Sequence, residues 1–215
     1  MTTEIKRPDY VRQRLPEIGF WFVDVPRTSS TVLRMAFYRR YGRLFGKPSA
    51  SSGIGLGLIP PHVPAAQLRE ALGPDLWDSL YTFSIVRNPF ERVLSLFSFL
   101  QQNGKLPGMS LSQYVKRLTR REFDYHGHYL SNTGYVCDDQ GEVLVSEVFR
   151  YDRRPEWLPV IAERTGCPEL MKDHSKVYST GSDSGLDRFD TRSRRLIRKF
   201  FAEDFERFDF DRSGT

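Results

Sequence analysis

A run of hydroxyl side chains follows a short apolar segment near the start of the chain. Residues 19–25, Gly-Phe-Trp-Phe-Val-Asp-Val, are rich in aromatic and β-branched side chains and lie between two prolines, which predicts a buried strand. A helical pattern begins at Val32. The turn between the two elements holds Arg27, Thr28, Ser29, Ser30 and Thr31.

This residue pattern is suited to binding a tetrahedral anion. A helix N-terminus offers unpaired N–H groups and the positive end of the helix dipole. The hydroxyl groups add donors, and Arg27 adds a planar cationic fork. The simpler interpretation is a helix cap beside a surface arginine. A cap uses one hydroxyl, whereas four are consecutive here, so the excess favours a ligand.

A second turn of the same kind begins at Arg87. The apolar residues 81–86 predict a strand, and Pro89 can open the next helix. Arg87 then lies at the carboxyl end of a strand, where open α/β sheets bind ligands, and Ser95 lies two turns into the helix. Alternatively, Arg87 pairs with a carboxylate and Ser95 has no role. Because two turns suited to anion binding follow strands of one sheet, a single shared binding site is favoured.

The remaining elements alternate in a way that predicts an α/β fold with a mainly parallel central sheet. A third strand ends near Phe149, after a hairpin predicted over 135–145. Loops are expected at 49–61 and 172–185. Helices are expected over 32–41, from Pro64 to Gly73, from Pro89, over 111–119 and 155–165, and from Thr191. With 215 residues, the chain is expected to form one domain, residues 1–215.

Composition narrows the class of protein without choosing a ligand. The net charge is +5, from 32 basic and 27 acidic residues, which is compatible with anionic partners of several kinds. Cys137 and Cys167 have no spacing typical of a metal site or a disulfide framework, so a reducing compartment is expected. No apolar leader or membrane-length stretch is apparent, and we expect a soluble cytoplasmic protein.

The two turns together resemble the cofactor motifs of sulfotransferases that use 3′-phosphoadenosine 5′-phosphosulfate (PAPS). The resemblance is to the family 2 group, which includes carbohydrate 2-O-sulfotransferases and small bacterial enzymes. The first turn is similar to its 5′-phosphosulfate loop, Pro-Lys-Thr followed by small and hydroxyl residues. The second is similar to its 3′-phosphate motif, Arg-Asn/Asp-Pro-aromatic-x-Arg with a later Ser. Weaker likenesses at 61–65, 128–135 and 202–208 extend over nearly the whole chain.

The resemblance implies a fold, a donor and a reaction. The fold would be a three-layer sandwich of the P-loop-NTPase-like sulfotransferase type. Residues 27–31 would hold the 5′-phosphosulfate, while Arg87 and Ser95 would hold the 3′-phosphate. A sulfuryl group would pass from PAPS to an acceptor hydroxyl, favoured to be on a carbohydrate, and adenosine 3′,5′-bisphosphate would leave. No metal is required, and no nucleic-acid partner or membrane insertion is implied.

The resemblance also assigns roles to isolated residues. His62 matches the catalytic histidine of the 2-O-sulfotransferase branch, with His126 and His128 as rivals, and His128 is expected to line the acceptor pocket. Lys176 lies where relatives cover the nucleotide, although a solvated lysine fits equally well. Arg27 replaces the usual lysine of the first loop and is expected to take part in catalysis.

Two other functions remain open from the sequence. An ATP-dependent phosphotransferase would need a Walker lysine, and the nearest match, residues 42–48, is one residue short and ends in proline. A non-catalytic module for polyanions would need a concentrated basic face. The basic stretches 116–121 and 192–199 are expected to be solvated helix faces that could also attract an anionic glycan.

Overall fold

Three parallel strands form a small open sheet at the centre of the protein. A computed structural model describes residues 5–46, 57–122, 129–171 and 185–213. The strands are β1 (Phe20–Val23), β2 (Tyr81–Val86) and β3 (Glu147–Arg150). They lie in the order β1-β2-β3, and both neighbouring pairs are parallel. The carboxyl ends of all three strands therefore lie at one edge of the sheet.

Helices occupy most of the remaining described chain, since each crossover between parallel strands must lead from the carboxyl edge of the sheet back to the edge where the next strand begins. The α-helices are α1 (Pro8–Ile18), α2 (Ser30–Tyr41), α3 (Ala65–Leu72), α4 (Pro74–Ser79), α5 (Pro89–Gln102), α6 (Leu111–Thr119), α7 (Asn132–Val136), α8 (Arg154–Arg164), α9 (Thr191–Phe200) and α10 (Ala202–Arg207). Short 3₁₀ turns cover Gly42–Leu44, Tyr151–Arg153, Pro168–Met171 and Leu186–Arg188. No helix within the described ranges is both long enough and apolar enough to cross a membrane.

An aromatic core surrounds the sheet and fixes α2 against it. Every residue of β1 is buried, as expected for a strand covered on both faces. The ring of Phe37, on α2, lies 5.0 Å from Phe20 and 6.3 Å from Phe83 in edge-to-face arrangements. Because Phe20 and Phe83 belong to neighbouring strands, this contact anchors α2 over the β1–β2 pair. The turn that precedes α2 is consequently held near the end of β2.

A second core holds α5 against the C-terminal helices. Phe90, near the start of α5, lies 5.5 Å from Phe205 on α10, measured between ring centroids. Further along α5, Phe97 lies 5.6 Å from Tyr114 on α6. Val86, the last residue of β2, belongs to this core as well. The start of α5, which carries the second sequence motif, is therefore fixed by packing on both sides.

The α/β prediction with a mainly parallel sheet is confirmed, and several elements match closely. The second strand and the helix over 111–119 have the predicted limits. Gly73 ends α3, but Pro64 is its N-cap residue and does not lie in the first turn. The loops predicted at 49–61 and 172–185 lie largely outside the described residues.

Three parts of the secondary structure differ from the prediction. Helix α1 was not predicted, because its polar face obscured the two buried residues Val11 and Leu15. The hairpin over 135–145 is reduced to one antiparallel bridge, Cys137 to Val143, since α7 takes up its first residues. The helix from Thr191 ends at Phe200, and a separate helix follows it.

Candidate functional site

The turn between β1 and α2 has an unusual backbone conformation. Arg27 and Ser29 have φ values of 68° and 78°, in the left-handed region that non-glycine residues seldom adopt. Thr28, between them, is fully buried, and its Oγ1 donates a 2.7 Å hydrogen bond to the carbonyl of Val25. Such a conformation costs free energy and is typical of functional turns. Alternating turn conformations of this kind direct backbone N–H groups toward anions.

The hydroxyl groups of this turn do not act as ordinary helix caps. Ser29 occupies the N-cap position of α2, yet its side chain makes no capping hydrogen bond. Its Oγ is buried and has no hydrogen-bond partner among the described residues. A buried hydroxyl without a partner is costly, which favours a ligand over the simple capping interpretation. Ser30 is buried as the first residue of α2, and Thr31 is half-buried.

Arg87, after β2, lies beside this turn and has several partners. Its Nη1 donates to the carbonyl oxygen of Arg27 over 3.3 Å, and its guanidinium lies 4.2 Å from the ring centroid of Tyr151. Its Nε donates to Glu91 over 2.9 Å, so the carboxylate pairing considered from the sequence is present. Arg87 Nη2 makes no hydrogen bond to the described residues. The ion pair therefore leaves Arg87 donors for a ligand.

Ser95 connects the two sequence motifs directly. Arg27 Nε donates to Ser95 Oγ over 3.0 Å, and the Arg27 guanidinium lies 4.7 Å from the ring centroid of Phe99. Burial, followed by the nearby positive charge of Arg87, lowers the pKa of Arg27 from its ordinary value. The fold thus holds two cations in proximity and partly out of water. An anion between them would relieve this repulsion.

His62 is held in one orientation by Asp24, the residue that follows β1. The backbone N–H of His62 donates to Asp24 Oδ1 over 2.6 Å, and His62 itself has a φ of 61°. The ring Nδ1 lies 3.0 Å from the backbone oxygen of Asp24. A carbonyl oxygen only accepts, so Nδ1 carries the hydrogen. In the neutral ring, the lone pair that can take a proton is then on Nε2.

A buried ion pair fixes Asp24 in turn. Arg34, on α2, lies 3.4 Å from Asp24 Oδ2, and the two residues are 1% and 2% exposed. Arg34 also donates to the carbonyl oxygens of Phe45 and Ile59, over 3.0 and 3.1 Å. The sequence interpretation did not include this network. Its only signals were an aspartate inside an apolar run and an arginine on the buried face of α2.

A further polar network supports the backbone of Arg87. The Asn132 side chain donates to the Arg87 carbonyl over 2.9 Å and accepts from Arg92, which is buried, over 3.3 Å. Asp204, on α10, accepts from the backbone N–H groups of Asn132 and Thr133 over 2.8 and 2.9 Å. The C-terminal segment at 202–208 therefore contributes a buried carboxylate that positions the second motif.

Several predicted site residues lie outside the described ranges. These are Lys176, His128 and His126. Within the described ranges, no three His, Cys, Asp or Glu side chains lie together as a metal site would need. Among the described residues, hydrogen bonds join the turn at 27–31 to Arg87 and Ser95, and His62 is held by Asp24, which precedes that turn.

Comparison with known proteins adds no identification. No protein-family profile matches the chain, and neither the curated proteins nor the solved structures include a significant match.

Proposed function

We propose that this protein is a sulfotransferase that moves a sulfuryl group from PAPS to an acceptor hydroxyl, favoured to be on a carbohydrate. The observation that carries the proposal is the convergence of the two turns. Arg27 donates to Ser95, and Arg87 donates to the Arg27 backbone, so both motifs meet at one edge of the sheet. The α/β architecture with a parallel sheet is compatible with the three-layer, P-loop-NTPase-like fold of such enzymes.

The donor has two anionic ends, and the protein offers a set of groups for each. The turn at 27–31 would hold the 5′-phosphosulfate with backbone N–H groups and hydroxyls, among them the partnerless Oγ of Ser29. Arg87 and Ser95 would hold the 3′-phosphate, for which Arg87 Nη2 is available. Because ATP lacks a 3′-phosphate, this second set favours PAPS over ATP.

His62 would act as the general base, because its contacts with Asp24 leave the proton-accepting lone pair on Nε2. In the proposed reaction, the acceptor oxygen forms a bond to sulfur while the bond between sulfur and the bridging phosphate oxygen breaks. The acceptor proton passes to His62 Nε2, and adenosine 3′,5′-bisphosphate leaves with the electron pair. The Asp24 carboxylate, 3.7 Å from Nδ1, would stabilise the imidazolium that forms.

Arg27 would act as an electrostatic group in this reaction. Negative charge grows on the bridging oxygen as the bond to sulfur breaks, and a fixed cation in a partly buried site stabilises that charge. Arginine does not lose its proton in proteins, so Arg27 would stabilise the leaving group by charge and hydrogen bonding alone.

The direct test is transfer of labelled sulfur. The purified chain is incubated with [³⁵S]PAPS and a panel of oligosaccharides, and parallel reactions contain [γ-³²P]ATP with Mg²⁺. The proposal predicts labelled saccharide from PAPS and none from ATP. Labelled product from ATP alone would identify a phosphotransferase. Absence of both products, together with no binding of adenosine 3′,5′-bisphosphate, would contradict any role for this nucleotide.

A further inference from the structure

A basic cleft lies between α6 and α9, the two helices that carry the basic stretches of the sequence. Its volume is about 460 Å³, within the range of pockets that bind small ligands. The segment after the undescribed residues 123–128 closes one side, with Tyr129, Leu130 and Ser131. Five cationic side chains line this basic cleft: Lys116, Arg120, Arg121, Arg192 and Lys199.

The charges of the basic cleft are poorly compensated. No acidic residue of the described chain lines it. Of these five cations, only Arg120 forms an ion pair with a described residue, a 3.6 Å contact with Glu122. The side-chain nitrogens of Lys116, Arg192 and Lys199 have no carboxylate of the described chain within 4 Å. Like charges gathered around a concave surface create a positive potential that attracts an anion.

The chemistry of the walls favours a saccharide over a nucleic acid. Tyr129 and Phe200 present aromatic surface beside the cations, and Thr119 adds a hydroxyl. Proteins that bind single-stranded nucleic acid use a long open groove in which successive bases stack on aromatic side chains. The basic cleft is instead a compact depression between two helices. Its volume suits one or two sugar rings that carry carboxylate or sulfate groups.

The basic cleft is connected to the proposed donor site by one short segment. Leu130, which lines the cleft, accepts a hydrogen bond at its carbonyl oxygen from Arg92. Two residues later, Asn132 bonds both the backbone N–H and the carbonyl of Arg87. A ligand in the cleft therefore contacts the same segment that positions the second motif.

We propose that the basic cleft binds an acidic saccharide, a sugar segment bearing carboxylate or sulfate groups. Its role as the subsite for an anionic acceptor rests on the proposed sulfotransferase activity, whereas the binding itself does not. The five cations would pair with the anionic groups, and the aromatic rings would cover the apolar faces of the sugars.

Binding of defined oligosaccharides tests the proposal without the transfer reaction. Calorimetry compares a sulfated, uronate-containing tetrasaccharide with neutral maltotetraose and with a four-nucleotide DNA strand. The test variant is Lys116→Glu/Lys199→Glu. Its matched control is Arg117→Glu/Arg195→Glu, which changes the same total charge on the same two helices at exposed positions outside the cleft. Circular dichroism and thermal unfolding confirm that both variants are folded.

The acidic tetrasaccharide should bind the unaltered protein, and its Kd should rise about tenfold or more in the test variant and less than about threefold in the control. An equal loss of saccharide affinity in the two variants would show that binding depends only on the overall charge of the protein, and it would overturn the proposal. Equal binding of maltotetraose, or tighter binding of the DNA strand, would also overturn it. Saccharide binding in a protein that does not bind the bisphosphate nucleotide would support the cleft and contradict the sulfotransferase.

Discussion

Arg27 and Ser95 are 68 positions apart in the chain, yet Arg27 Nε donates to Ser95 Oγ over 3.0 Å. The bond joins the turn after β1 to the second turn of α5. It exists because β1 and β2 are parallel neighbours, so that their carboxyl ends lie side by side. The two turns identified in the sequence consequently lie side by side at one edge of the sheet.

Removing the Ser95 hydroxyl should weaken nucleotide binding. In Ser95→Ala, Arg27 loses a hydrogen-bond acceptor and the proposed 3′-phosphate loses a donor, so the Kd for adenosine 3′,5′-bisphosphate should rise about tenfold. The control is Ser98→Ala, one turn further along α5. Calorimetric titration measures both variants. Similar affinities for the two variants would separate Ser95 from the nucleotide site.

His62 should affect the transfer step and leave donor binding intact. Without a base, His62→Ala should lower kcat for sulfuryl transfer by about 10²-fold or more, while the Kd for adenosine 3′,5′-bisphosphate stays the same. Steady-state kinetics with PAPS and fluorescence titration of the product nucleotide supply the two values. Near-normal kcat in this variant would assign the base to another residue.

Asp24 should be important for both stability and transfer. Asp24→Asn leaves the buried Arg34 charge without its counter-ion, which should cost about 3 kcal/mol of unfolding free energy, and it loosens the orientation of His62. Chemical denaturation gives the first effect and kcat the second. The comparison is Asp78→Asn, which breaks an exposed 3.0 Å pair with Arg69 and should leave both quantities unchanged. Equal effects in the two variants would be inconsistent with a positioning role for Asp24.

The stability that Asp190 gives to the start of α9, which forms one wall of the basic cleft, should decrease in acid. The backbone N–H of Ser193 donates to Asp190 over 2.6 Å, and this bond is the main cause of the lowered pKa of Asp190. A lowered pKa means that the carboxylate stabilises the fold above the unfolded-state pKa, about 3.9, and loses this effect as pH falls through the folded-state value.

Asp190→Ala should therefore cost about 1 kcal/mol at neutral pH, and the cost should shrink in acid. Asp190→Asn keeps a neutral capping oxygen, so its difference from Asp190→Ala should not depend on pH. Urea denaturation from pH 7 to pH 3 measures all three proteins. A constant difference between the unaltered protein and Asp190→Ala across this range would contradict the role of the charged cap.

The sheet was predictable because its strands are marked locally. Residues 20–23 and 81–86 are apolar and aromatic runs, each followed by a turn and a helix start, and these features depend only on neighbouring residues. The hairpin over 135–145 was predicted wrongly because α7 depends on a distant residue. Asp204 accepts the N–H groups that begin α7, and this interaction spans more than 70 positions.

The candidate site was predictable only in part for the same reason. Arg27, Arg87 and Ser95 belong to local motifs that can be recognised from spacing. The buried pair of Asp24 and Arg34 joins a strand end to a helix face, and its formation depends on how the two elements pack. No local pattern distinguishes such residues from surface charges.

The most direct test of the central claim is the preference for a 3′-phosphate. Titration calorimetry compares adenosine 3′,5′-bisphosphate with AMP in the unaltered protein and in Arg87→Ala. We predict at least tenfold tighter binding of the bisphosphate by the unaltered protein, and loss of that preference in Arg87→Ala. Equal affinity for the two nucleotides, or a preference that survives in Arg87→Ala, would contradict the claim that the two turns hold one bisphosphorylated nucleotide.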